Sequence, residues 1–194
     1  MKIVAGTYKH RKIIVPKSDV VRPTSERLRE SLFDICQGMV DEATFLDLFA
    51  GSGAMGLEAL SRGAKKATFI DSHRESIRCI KQNIESLSVE KQTQVIMGDV
   101  FDFLGKLTKL GQTYDIIYAD PPYDSWKVIQ GKSISFSQQL LKLIDEGTLL
   151  APLGTLFIEE SATAAPVDMN LQTLVQVSVR RMGRSILQEY QKKG

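Results

Sequence analysis

Cysteine is scarce in this 194-residue chain: Cys36 and Cys79 are its only two. They sit far apart, in helical-looking segments, without metal-ligand spacing. A disulfide framework or a zinc site does not fit that count, so no metal is expected and both read as buried thiols in a reducing compartment. No apolar run reaches transmembrane length, and the first residues lack the apolar core of a signal peptide. A cytoplasmic protein is the expectation. Repeats, low-complexity tracts and Gly/Ser linkers are also missing. With 43% hydrophobic and 25% charged residues, disordered and fibrous classes are excluded. The length suits one domain with a substantial core and is tight for two.

An excess of either charge is nearly lacking overall, at a net +2, but the charge is unevenly placed. Residues 1–33 carry eight Lys or Arg against three acids, and residues 180–194 carry five against Glu189. Basic ends on an acidic body point to a polyanion gripped at one place. The division expected is a basic extension over 1–38 and a single larger unit over 39–194.

Hydrophobic patterning supplies the elements. Two short strands, Lys2–Gly6 and Lys12–Pro16, flank a polar turn at Lys9–Arg11. Pro23 with Thr24 or Ser25 opens a helix whose apolar face holds Leu28, Leu32 and Ile35, widened by Phe33. Strands then alternate with helices: strands at Ala43–Ala50, Ala67–Asp71, Gln94–Asp99, Tyr114–Asp120 and Thr155–Glu160, and helices at Leu57–Arg62, Arg74–Leu87, Val100–Leu110 and Phe136–Ile144. This alternation predicts an α/β fold with a mostly parallel sheet. The last two strand-like runs, Leu174–Arg181 and Ser185–Gln191, are separated only by a turn at Gly183. They form an antiparallel hairpin at one edge.

Between the first strand and its helix, Gly51-Ser-Gly53-Ala-Met-Gly56 fits G-x-G-x-x-G. The first two glycines permit a tight turn and close approach of a ligand, and the third permits close helix–sheet packing. Asp71 follows at the distance where a carboxylate accepts from a ribose diol. The pattern suits a dinucleotide or S-adenosylmethionine. Asp47 favours the second, because an anion beside a pyrophosphate is unfavourable while one beside an ammonium and sulfonium is favourable. Asp99-Val100 is placed to meet the adenine, although Asp99 also suits a helix N-cap.

Asp120-Pro121-Pro122-Tyr123 follows an apolar strand. Two prolines stiffen the turn and remove two backbone donors, leaving the Asp120 carboxylate and the Pro121 carbonyl as acceptors. That suits a planar amino group with two hydrogens, and Tyr123 offers a stacking face. Trp126 is a candidate cover for this pocket and equally a packing residue. Glu159-Glu160 close their strand, one of them a candidate to face the target base, with no role assigned.

At these residues the chain resembles the class I methyltransferases that modify exocyclic amines, and more narrowly the RsmD-type bacterial 16S ribosomal RNA guanine-N2 methyltransferases. The resemblance covers nearly the whole chain: Gly6, Arg11-Lys12, Arg22-Pro-Thr24, Arg27-Leu-Arg29-Glu30-Ser-Leu-Phe33, Asp47 through Gly63, Asp120-Pro-Pro-Tyr123, and Gly183 to Tyr190. It implies a Rossmann-like class I methyltransferase fold: a seven-stranded, mostly parallel sheet, an antiparallel C-terminal hairpin and a small N-terminal β-hairpin and helix extension. It implies S-adenosylmethionine as donor and a guanine of 16S rRNA, in an assembled or assembling small subunit, as target. The cofactor-binding set is then Asp47, Phe49, Ala50, Gly51, Ser52, Gly53, Asp71, Ser72, Asp99 and Val100. The catalytic set is Asp120, Pro121, Pro122 and Tyr123, and the RNA-contacting set is Lys9, His10, Arg11, Lys12, Arg22, Thr24 and Arg27. Asp71 stands where the family often has Glu. Alternatives are an adenine-N6 methyltransferase on RNA or DNA, or an RNA-binding assembly factor without catalysis. A nicotinamide oxidoreductase fits poorly, since no hydride-site His or Tyr-Lys pair is evident.

Overall fold

The computed structural model describes residues 1–17, 25–122, 126–129, 132–164 and 169–193. Arg22, Thr24, Tyr123 and the side chain of Trp126 lie outside the described residues. The chain divides into two compact units, residues 1–100 and 101–194.

In the first unit, α1 (Glu26–Ile35) starts where Ser25 Oγ accepts from the Leu28 amide at 3.2 Å. A serine oxygen there satisfies one of the helix's orphan donors. Leu28, Leu32 and Phe33 form its buried face, and Cys36 behind them is also buried. β1 (Thr44–Leu48), β2 (Lys66–Asp71) and β3 (Thr93–Met97) run parallel, with Thr44 level with Lys66 and Ala67 level with Thr93. Two helices connect them, α2 (Ala54–Ser61) and α3 (Arg74–Leu87). Ile77, Ile80, Ile84 and Leu87 make the buried stripe of α3, each contributing roughly 1.5–3 kcal/mol by burial. α2 is different: it is buried on every side, Glu58 included.

The N-terminal arms meet through a single antiparallel bridge, Lys2 with Lys12, rather than as two full strands. The reason is where their backbone donors go. The amides of Val4 and Ala5 donate to Glu58 at 2.8 and 2.9 Å, those of Thr7 and Tyr8 to Ser61, and that of Ile14 to Asn83 at 2.8 Å. The arms are therefore tied to α2 and α3 more than to each other. At Gly6 (φ +79°) a Cβ would sit 1.8 Å from the Ser61 carbonyl oxygen, so this approach requires glycine.

The second unit contains most of α4 (Val100–Lys109), then β4 (Tyr114–Ala119), β5 (Trp126–Ile129), β6 (Lys132–Ser135), α5 (Phe136–Glu146), β7 (Leu150–Ser161), β8 (Leu174–Met182) and β9 (Ser185–Lys192). β4 and β7 are parallel, β9 is antiparallel to both β7 and β8, and Gly183 (φ +70°) makes the closing turn. β7 begins five residues before the expected Thr155, because its first part pairs through Tyr114 with Leu150 across a register shift. Pro152 and Gly154 mask that part as a turn in the sequence. The antiparallel pair β5–β6 was not legible either; four residues per strand are too few for a period to stand out. A Ser135/Gln138 capping box opens α5.

The strand order is β3-β2-β1-β4-β7-β9-β8, with β5-β6 as a separate sheet. This is the mostly parallel seven-stranded sheet with an antiparallel C-terminal hairpin that the family resemblance implies.

Candidate functional site

β1 delivers the glycine loop. Phe49 (φ +58°), Gly51 (φ +55°) and Gly53 (φ +76°) all take left-handed backbone, so the chain reverses within a few residues before entering α2. A Cβ on Gly56 would stand 2.4 Å from Phe69 Cε1, which explains the third glycine: α2 lies directly on β2.

The loop's amides are already engaged. Gly51 N donates to Asp71 Oδ2 at 2.8 Å, Gly53 N to the Ala50 carbonyl at 2.7 Å, and Gly56 N to Asp47 Oδ2 at 3.0 Å. Asp71 Oδ1 also accepts from the His73 amide at 2.8 Å. Asp47 is almost wholly enclosed. Burial pushes its carboxyl well above the ordinary value of 3.8, the Gly56 amide opposes that, and the neighbouring Asp71 adds to it. Asn83 clamps the loop from α3: its Nδ2 donates to the Ser52 carbonyl at 3.0 Å and to the Ile14 carbonyl at 2.9 Å.

This donor set discriminates between cofactors. A pyrophosphate cradle needs unengaged amides and positive charge. Here Gly51, Gly53 and Gly56 give their amides to the protein, and two carboxyls underlie the turn. A ligand with an ammonium and a sulfonium suits that field. Phe49 is half-buried, Ala50 and Ser52 are buried, and Ser72 is exposed beside His73. Asp99 is exposed directly before α4, and Val100 is its buried first residue.

In the second unit, Asp120 immediately follows β4. It is half-exposed, Pro121 is buried and Pro122 exposed. Close by, Tyr118 Oη donates to Glu159 Oε2 at 2.8 Å.

The basic N-terminal residues divide. Lys9, His10 and Lys12 line a cleft of about 770 Å³ together with Lys2, Glu26 and Glu30. His10 has φ +68° and its amide closes the turn on Ile3. Arg11 is exposed and donates to the Ser86 carbonyl at 2.5 Å, and Arg27 is exposed on α1. Arg29 contributes nothing to a basic surface. It is fully buried, donates to the Lys2 carbonyl at 2.8 Å and stands 4.0 Å from Glu58.

Glu58 and Asn83 are site-building residues that the sequence reading missed. Each is a polar residue at an apolar-face position, and that misfit was the available signal. Among the described residues, no group of three or more His, Cys, Asp or Glu could hold a metal ion, and no helix is long and apolar enough to cross a membrane.

The family described as "Conserved hypothetical protein 95" matches residues 1–191. The chain is 32% identical to the ribosomal RNA small subunit methyltransferase D of Haemophilus influenzae, over 82% of this chain and 78% of that protein. It is 31% identical to the protein of the same name from Escherichia coli strain K12, over 82% and 74%. The solved structure of the Escherichia coli protein yhhF shares its fold, with a TM-score of 0.83 and 27% identity over 100% of this chain and 98% of that one. The match across residues 1–191, with the glycine loop, the N-terminal arms and the Asp120-Pro121-Pro122 turn all inside it, places the chain in this family, that of the RsmD-type ribosomal RNA methyltransferases.

Proposed function

We propose that the protein is an S-adenosylmethionine-dependent methyltransferase that methylates the exocyclic N2 of one guanine in 16S ribosomal RNA, within an assembled or assembling small subunit. The observation that carries the reading is the glycine loop whose amides are held by Asp47 and Asp71, a setting that favours a cationic cofactor over a pyrophosphate. The names of the relatives support its coarser part, methylation of small-subunit ribosomal RNA.

S-adenosylmethionine, when bound, supplies an electrophilic methyl on sulfur. Gly51 and Gly53 let the loop backbone approach it closely, Asp47 and Asp71 set a negative field, and Asp99 and Val100 are the candidates for its adenine. Asp120 and the Pro121 carbonyl accept from the two hydrogens of the guanine amine. That turns the nitrogen lone pair, otherwise delocalised into the ring, out toward the methyl. The bound donor would supply the methyl and keep the electron pair of its C–S bond, so that positive charge would develop on N2. The Asp120 carboxylate stabilises that charge, and it or a neighbouring water takes the proton. Tyr123 is the candidate stacking face. Residues 1–38 form the RNA-contacting extension through Lys9, His10, Arg11, Lys12, Arg22, Thr24 and Arg27, with residues 39–194 as the methyltransferase domain.

The test is transfer of labelled methyl groups to small subunits from cells lacking the enzyme, followed by nucleoside analysis. N2-methylguanosine is the expected product. Asp120→Ala lowers turnover by roughly 10²–10⁴ with cofactor binding nearly intact. Methyladenosine as product, or a fully active Asp120→Ala enzyme, overturns the assignment.

A further inference from the structure

The register of the second unit puts the tip of the last hairpin on the rim that carries Asp120. Ala119 of β4 is level with Ile158 of β7, Ile158 with Gln188 of β9, and Gln188 with Val179 of β8. One residue further, Glu159, Leu187 and Arg180 form the next row, and β4 runs out into Asp120 beside it. Arg181 follows, level with Ile186 and Glu160. Three strand spacings of about 4.8 Å separate β4 from β8, so Arg180 lies about 14 Å from Asp120 along the sheet.

The tip is held in place. Gly183 (φ +70°) makes the turn, the Ala162 amide donates to the Arg184 carbonyl at 2.9 Å, and Ser185 Oγ donates to the Met182 carbonyl at 3.4 Å. Arg180, Arg181 and Arg184 are all exposed there. Arg181 Nε donates to the Gly183 carbonyl at 3.5 Å. Among the described residues none of the three pairs with a carboxylate. Glu189 of β9 is turned to Ser178, whose Oγ donates to it at 2.7 Å. Three guanidinium groups within five residues repel one another, and a partner carrying several negative charges relieves that repulsion.

The form of the patch selects the partner. β8 is the edge of the sheet, but the register shift between Gln176 and Ser178 and the charge at Arg180 and Arg181 blunt it against another protein strand. Guanidinium forks match phosphate oxygens. Side chains alternate along a strand, so Arg180 and Arg181 take opposite faces of β8, with Arg184 in the turn beyond them. The charges surround the rim rather than lining one face, which suits a flexible single strand passing over the edge better than a rigid duplex.

Resting on the reading of the chain as a methyltransferase of small-subunit ribosomal RNA, we propose that Arg180, Arg181 and Arg184 grip the sugar–phosphate backbone of the RNA strand that carries the target nucleotide. At about 3.4 Å per phosphate along a stacked strand, 14 Å corresponds to about four nucleotides. The phosphates held are therefore those flanking the target, and the hairpin fixes the strand while Asp120 meets the base.

The experiment uses the full-length protein, labelled S-adenosylmethionine and small subunits from cells lacking the enzyme. The triple variant Arg180→Gln, Arg181→Gln, Arg184→Gln raises KM for subunits by about tenfold or more near 0.15 M salt. It also reduces the slope of log KM against log salt by about 2, since about 0.7 counterion is released per single-strand phosphate contact. Turnover at saturation, affinity for S-adenosylhomocysteine and the melting temperature stay near wild type. The corresponding triple Lys variant keeps most of the slope because it keeps the charge. Arg184→Gln alone, in the exposed turn, lowers the slope by about 0.7 and carries the test should the triple variant fail to fold. Phosphate ethylation locates the contact: ethyl groups within about four nucleotides of the methylated position block wild-type binding, and the Gln variant loses part of that sensitivity. A folded triple variant with wild-type KM and salt slope overturns the proposal. So does interference confined to more distant phosphates. A wild-type protein that transfers no methyl to small subunits overturns the functional reading itself, and this inference with it.

Discussion

The Gly51 amide donates to Asp71 Oδ2 at 2.8 Å, joining the turn after β1 to the end of β2. Asp71 thereby holds the glycine loop as well as being the candidate ribose contact. Asp71→Ala leaves the Gly51 and His73 amides without this acceptor. Each lost partner of a buried donor costs about 1–3 kcal/mol. Urea denaturation is expected to show that loss, and calorimetry at least tenfold weaker binding of S-adenosylhomocysteine.

Gly56→Ala tests the seat of α2 on β2. A Cβ there would stand 2.4 Å from Phe69 Cε1 and 2.8 Å from Phe69 Cζ, and a ring packed under a helix has little room to retreat. Overpacking of this kind costs about 1–3 kcal/mol. Thermal unfolding should show the loss, and Gly56→Ala/Phe69→Leu should recover part of it. An unchanged melting temperature for the single variant would falsify the packing account.

Asp47 gives a pH signature. Its carboxyl is raised in the folded chain, so between the ordinary value of 3.8 and its own higher value the native state holds a proton that the unfolded chain has lost. Stability from this group therefore falls as pH rises through that window. Asp47→Asn removes the fall, so the variant gains on wild type as pH rises above about 4. Binding of a cationic cofactor favours the ionised carboxyl. Wild-type affinity for S-adenosylmethionine should thus increase with pH over the same window, and the Asn variant should bind more weakly with a flatter profile. Parallel profiles for the two proteins in calorimetry would count against the role given to Asp47.

Glu58 ties the N-terminal arms to the rest of the first unit. It accepts from Val4 and Ala5, pairs with Arg62 at 3.0 Å, and faces Arg29. Glu58→Ala removes a carboxylate that faces the buried Arg29 and the acceptor of both amides. A loss of about 3–5 kcal/mol is expected, together with faster proteolysis within residues 1–17. If the arms stay as protected as in wild type, Glu58 is not their anchor.

Lys9 and Lys12 line the N-terminal cleft. Replacing both with Ala should weaken binding to small subunits and reduce the salt slope of log K by between 1 and 2, since about 0.7–0.9 counterion is released per phosphate contact. Cofactor affinity should not change. An unaltered salt slope would move the RNA grip away from this cleft.

Periodicity and glycine spacing were enough to determine the α/β architecture, the loop at Gly51–Gly56 and the parallel order of the elements. Strand and helix periods are local properties, Gly51 and Gly53 mark left-handed backbone that other residues adopt only under strain, and Gly56 marks the close approach of α2 to Phe69. The end of β4 before Asp120-Pro121-Pro122 was legible for the same reason, because proline acts on its own backbone. Partnerships across long stretches of chain were not legible. Only the tertiary structure decided that Arg29 is buried against the N-terminus rather than offered to RNA, that Asn83 holds Ser52, and that Glu58 replaces strand pairing for Val4 and Ala5. The split between Glu159 and Glu160 also needed it. Two adjacent identical residues differ only in which face of β7 they occupy, so the register of β7 on β4 puts one beside Tyr118 and the other on α5. Such hydrogen bonds join residues tens of positions apart, and what selects them is the unfavourable burial of an unsatisfied polar group, which acts only once the chain has folded.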